Sequence, residues 1–123
     1  STLRHTLFPY TTLFRSHDAG VEQLSEYSSH VLDFLRYNAD YLTSGMREFS
    51  LINAREMENN LNKQRNKLRK VVRHQLTKGG DVRGEMIFMD IVRHLEQIGD
   101  SCFNISEEIM ALNGETPAEV RSA

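Results

Sequence analysis

Glu96 and Asp100 stand four residues apart within the stretch "FMDIVRHLEQIGDSCFNISEEI", residues 88–109. On a helix that spacing projects both carboxylates from one face. Like charges so placed repel, and a bridging cation would relieve the repulsion. Hard cations favour such oxygen ligands. Glu58 and Asn62 repeat the spacing upstream, and Asn104 adds a carbonyl one turn beyond Asp100. The chemistry these residues point to is metal coordination by Glu96, Asp100, Glu58 and Asn62. The same residues carry a second reading. Lys63, Arg65, Lys67, Arg69, Lys70 and Arg73 form a basic run. Folded back about a turn at Gly79-Gly80, that run sets Arg73 near Asp90, Lys67 near Glu96, and Asn62 and Lys63 near Asp100. The acids then pair across a solvated seam, for a small gain per pair. Gly99 lies between the two acids. A mid-helix Gly costs about 1 kcal/mol relative to Ala, and its common reason is close approach of another helix.

Other chemistries leave no signature. There is no nucleotide-binding glycine loop, no His-Glu-x-x-His pair and no paired-cysteine zinc spacing. Asp90 and His94 are four apart but sit beside Arg93, which reads as a surface ion pair. Di-iron bundles use Glu-x-x-His elements on facing helices, and none occurs, so no catalytic residues are expected and the chain is not expected to be an enzyme. The single cysteine, Cys102, falls on an apolar stripe and reads as a buried, inert thiol. One cysteine makes no internal disulfide, which fits a reducing compartment. The net charge of −2 and the pI of about 6.2 do not suggest a nucleic-acid binder by bulk electrostatics. No run approaches the roughly 18 apolar residues of a membrane span. No charged segment leads into an apolar one at the start, so no secretory signal is expected.

The elements that must position these groups are helices. Val21, Leu24, Ser28, Val31, Leu35, Asn38 and Leu42 step by three and four, which predicts a first helix, N-capped by Asp18 and ended at Gly45. A second helix is expected from about Arg47 to Lys78, with a stripe of Phe49, Ile52, Met57, Leu61, Leu68, Val72 and Leu76. Lys78, Gly79 and Gly80 stop it. A third opens near Asp81 and carries Ile87, Ile91, Leu95, Ile98, Cys102, Ile105, Ile109 and Leu112, ending at Asn113-Gly114. Three long helices with short connections predict an all-α, up-down-up antiparallel three-helix bundle. The domain is expected over residues 17–113, with a polar tail at 114–123. Residues 1–16, "STLRHTLFPYTTLFRS", contain no acid and no helical period. They resemble translated sequencing adapter and are expected to be non-native. The other reading is a native linker or edge strand.

Residues 54–112 resemble a PhoU-like domain. The resemblance is carried by "LEQIGD" (residues 95–100) followed by Asn104-Ile105, and by the preceding "NKQRNKLRKVVRHQLTKG". Within that family the helix end "LRKVVRHQLTKG" and the entry "GEMIFMDI" (residues 84–91) are most similar to the single domain at the cytoplasmic C-terminus of bacterial sodium/phosphate cotransporters. The resemblance implies a three-helix bundle and, in some members, iron or zinc on acid-x-x-x-acid motifs. Here that motif falls on Glu96 and Asp100, and less closely on Glu58 and Asn62. Asn62 stands where the pattern has Asp, and Ser101 where free-standing regulators tend to show His. The implied function is a cytoplasmic regulatory or structural domain of a sodium-dependent inorganic phosphate transporter, on the cytoplasmic side of the inner membrane. Its implied partners are the membrane transport domain of the same full-length protein or a second copy. No small-molecule substrate or nucleic acid is implied. The alternative is a soluble PhoU-type regulator of phosphate uptake that acts through protein contacts and metal binding.

Overall fold

The structure, a computed structural model, describes residues 18–44 and 49–114. Among them run three helices: α1 (Asp18–Ser44), α2 (Leu51–Thr77) and α3 (Val82–Leu112). The adapter-like segment, the Gly45 stop, Arg47 and the tail beyond Gly114 lie outside the described residues. Cross-contacts set the topology. A side chain on Gly20 would meet Val71 and Phe88. Asn38 bonds to Cys102, and Glu96 to Arg65. So α1 and α3 run parallel and α2 runs antiparallel between them, which is the expected up-down-up bundle.

Local chemistry fixes the ends of α2. Ser50 is extended, and its hydroxyl accepts from the Asn53 N–H at 3.2 Å, so the helix begins at Leu51. Phe49 therefore precedes the helix rather than lying on its stripe. It packs against Tyr41, edge to face at 4.5 Å between ring centroids, and against Tyr37 at 5.2 Å. The Tyr37 hydroxyl donates to the Ser50 carbonyl and accepts from the Ser50 N–H. One phenol thus ties the start of α2 to the end of α1. At the far end, the Gly80 N–H reaches the Gln75 carbonyl and the Gly79 N–H reaches that of Leu76. This is the paired closure of a Schellman turn, and Gly79 takes the left-handed φ of 80° that it needs. Asp81 then caps α3 by accepting from the Gly84 N–H at 2.9 Å.

The core holds Tyr27, Val31 and Phe34 of α1. Ala54, Leu61, Leu68 and Val72 of α2 face Phe88, Val92, Cys102, Phe103 and Met110 of α3. Gly99 has the expected reason: a Cβ there would sit 3.2 Å from Leu61 Cδ1, so α2 and α3 meet closely. The stripes on α1 and α3 are rotated from the expected ones. Ser28 and Ile98 point outward, as do Val21, Leu35 and Leu42 of α1 and Ile91, Ile105 and Leu112 of α3. The rings of Tyr27, Phe34, Phe88 and Phe103 take the interior instead. The outward residues recur every seven positions. The other half of the same stripes, with Val31, Asn38, Cys102 and Ile109, is buried, so the expected stripes straddle the edge of the core.

Candidate functional site

Glu96, the first candidate ligand, is held by arginine. Its Oε1 accepts from Arg65 Nη1 at 2.9 Å and its Oε2 from Arg69 Nη2 at 2.9 Å. Arg65 and Arg69 are one turn apart on α2, so the i,i+4 rule puts both on the face that meets α3. Arg65 Nη1 also donates to Asn62 Oδ1 at 3.2 Å. Glu96 and Asn62 are thus brought together around a guanidinium. Asp100, one turn along, is exposed, and Glu58 is half-buried. The level foreseen for Lys67 is right, but Arg65 and Arg69 bracket it. Lys67 itself turns towards α1, beside Gln23, Glu26 and Gln64. Asp90 meets Arg93 on its own helix at 3.6 Å.

A divalent ion at Glu96 would have to displace two guanidinium groups. Both oxygens of that carboxylate are already engaged by charge-assisted hydrogen bonds. Among the described residues no three His, Cys, Asp or Glu side chains converge to hold a metal. Dialysed protein assayed by plasma mass spectrometry is expected to carry equally little iron, zinc or manganese as wild type, Glu96→Ala or Asp100→Ala. Glu96→Ala is expected to cost about 1 kcal/mol, because the seam is half-solvated. A stoichiometric metal lost on either substitution would refute this assignment.

Tyr27 lies inside the bundle within reach of this charge. Burial, and secondarily the Glu96 carboxylate, push its hydroxyl from 10.0 up to about 12. The unfolded chain therefore gives up this proton first. The stability tied to neutral Tyr27 is intact below pH 10 and is lost as pH rises towards about 12. Tyr27→Phe is expected to flatten the decline of the urea midpoint across that window. An unchanged decline would show that Tyr27 does not carry it.

A second polar cluster is fully buried. Asn38 Nδ2 donates to the Cys102 carbonyl at 2.7 Å. Ser106 Oγ donates to Asn38 Oδ1 at 2.7 Å and lies 3.1 Å from the Cys102 carbonyl. This triad bolts α1 to α3 at one register. Cys102 itself is buried, as expected, and burial pushes its thiol up. Sequence reasoning placed Asn38 on an inward stripe but did not foresee Ser106 or the buried Glu85 in the first turn of α3. A polar residue at an inward position was the only available signal.

On the outer side of the same two helices lies a shallow apolar groove. Leu35 faces Ile98, Ser101 and Ile105 across it. Leu32 and the small side chains Ser25, Ser28 and Ser29 extend it along α1. What this arrangement offers is contact surface. The model of the PhoU domain matches residues 24–109. The chain belongs to the PhoU domain family. The match begins in α1 and ends three residues before the end of α3, so all three helices of this PhoU domain contribute to it. No curated protein and no solved structure matches the chain. Among the described residues of the PhoU domain, no helix is long and apolar enough to cross a membrane.

Proposed function

We propose that this PhoU domain is a regulatory domain of phosphate transport, carried on the cytoplasmic side of the inner membrane by a sodium-dependent phosphate transporter. The observation that carries the reading is the PhoU domain match across α1, α2 and α3. The resemblance of residues 68–79 and 84–91 to the cotransporter subgroup supports the finer assignment. The mechanism is coupling by contact. A domain that binds one conformation of its transport partner more tightly shifts the population towards it, by no more than that difference in affinity. Lys63, Lys67, Lys70 and Arg73 are exposed along α2. They give an acidic partner or anionic lipid headgroups a complementary face.

Recovery of the complete reading frame tests the assignment. Apolar spans of about 20 residues upstream of residue 17 are the expected result. A second three-helix repeat with no such span would replace this reading by a free-standing regulator of phosphate uptake.

A further inference from the structure

The turn end of the α2–α3 hairpin carries an apolar patch inside a basic ring. On α2, Arg65, Arg69 and Leu76 are spaced by four and seven, so they share the edge that meets α3. On α3, Val82, Met86, Met89, Arg93 and Glu96 step by four and three and form one stripe. The bonds of Glu96 to Arg65 and Arg69 join these two edges. The turn at Gly79-Gly80 therefore brings Leu76 to the level of Val82 and Met86. Val82 is 60% exposed, Met86 63% and Leu76 39%. Val72 and Phe88 fill the core at this level, so the three outer side chains are spare. The charge around them is one-sided. Residues 67–93 hold seven Lys or Arg and three Asp or Glu, in a chain of net charge −2. Each of the three acids is accounted for: Asp81 caps α3, Glu85 is buried, and Asp90 lies against Arg93. Lys70, Arg73, Lys78 and Arg83 are exposed and pair with no acid among the described residues. Helix α1, with Asp18 and Glu22, packs on the other face of the hairpin, where Gly20 meets Val71 and Phe88.

We propose that this tip docks on the surface of a bilayer that contains anionic lipid. Leu76, Val82 and Met86 enter the boundary between headgroups and acyl chains, and Lys70, Arg73, Lys78 and Arg83 meet the lipid phosphates. Size favours this occupant. Three side chains fall well short of the roughly 800 Å² per partner that a specific protein interface buries. Interfacial membrane binding adds a small buried apolar area to attraction from many headgroups at once. Long Lys and Arg stems also lie along an apolar boundary while their charges stay in water. The inference stands on the tip alone and does not require the transporter assignment. The two agree in geometry: the start of α1 lies at this same end of the bundle, so the spans of the proposed transporter join the domain where the tip faces.

Flotation of the whole chain with vesicles tests the proposal. Vesicles of phosphatidylcholine and phosphatidylglycerol are expected to carry the chain, vesicles of phosphatidylcholine alone are not, and salt is expected to release it. Arg73→Glu and Met86→Glu are each expected to weaken binding about tenfold or more. Both side chains are exposed, so helical circular dichroism should be unchanged. Leu112→Glu, at the other end of α3, is expected to bind as wild type. The chain has no Trp, so Met86→Trp provides a single reporter, whose emission is expected to shift to the blue on anionic vesicles. No binding to anionic vesicles overturns the proposal. So does binding that survives both Arg73→Glu and Met86→Glu, equal binding to neutral vesicles, or a Trp emission that does not move.

Discussion

Replacing Asn38 with Ala is expected to destabilise the domain by about 3 kcal/mol. Asn38 is 1% exposed, and both ends of its amide are used. Truncation opens a small cavity and removes an acceptor from Ser106 and a donor from the Cys102 carbonyl. Ser106 and the Cys102 carbonyl keep their own 3.1 Å bond, so the loss is two buried hydrogen bonds at about 0.5–1.5 kcal/mol each plus the cavity, against a total stability on the order of 5–15 kcal/mol. The effect should be strongly coupled to Ser106. Asn38→Leu with Ser106→Ala removes both polar partners while roughly keeping volume, so it should recover much of the loss. Urea denaturation followed by circular dichroism measures all three variants. A loss well under about 1 kcal/mol for Asn38→Ala would mean that the triad does not hold α1 to α3.

Phe34→Ala is expected to cost about 3–5 kcal/mol, while Leu35→Ala costs within about 1 kcal/mol. The neighbours differ in facing. Phe34 is fully buried in the core and Leu35 is on the outer groove. Periodicity alone points to Leu35 as the inward residue, so the pair tests the rotation of α1 directly. Urea denaturation of the two variants side by side measures the difference. A larger loss for Leu35→Ala than for Phe34→Ala would reverse the assignment of faces.

That reversal shows where sequence pattern reaches its limit. The existence of three helices, the turn at Gly79-Gly80, the cap at Asp81 and the close approach at Gly99 are all local or strongly patterned, and they were legible. The facing of α1 and α3 was legible in half: Val31, Asn38, Cys102 and Ile109 of the expected stripes are buried, while Val21, Leu35, Ile91 and Ile105 are exposed. Each carries two apolar stripes, and periodicity does not say which one is inside. The rings of Tyr27, Phe34, Phe88 and Phe103 decide it by volume. The half of each expected stripe that holds Leu35 and Ile98 stays outside. The candidate site was legible to the level of a turn. Counting outward from Gly79-Gly80 placed Glu96 opposite the basic run, but a one-dimensional count cannot tell Lys67 from Arg65 and Arg69, which lie on a different face of α2. The planar fork of arginine then engages both oxygens of Glu96, one guanidinium to each.

Uptake of radiolabelled phosphate by cells carrying the complete gene, with residues 18–113 present or removed, bears on the regulatory role itself. If this PhoU domain regulates phosphate transport, its removal changes the rate of uptake or the dependence of that rate on external phosphate. Identical uptake and identical dependence, with the rest of the gene product present in equal amount, would contradict the role.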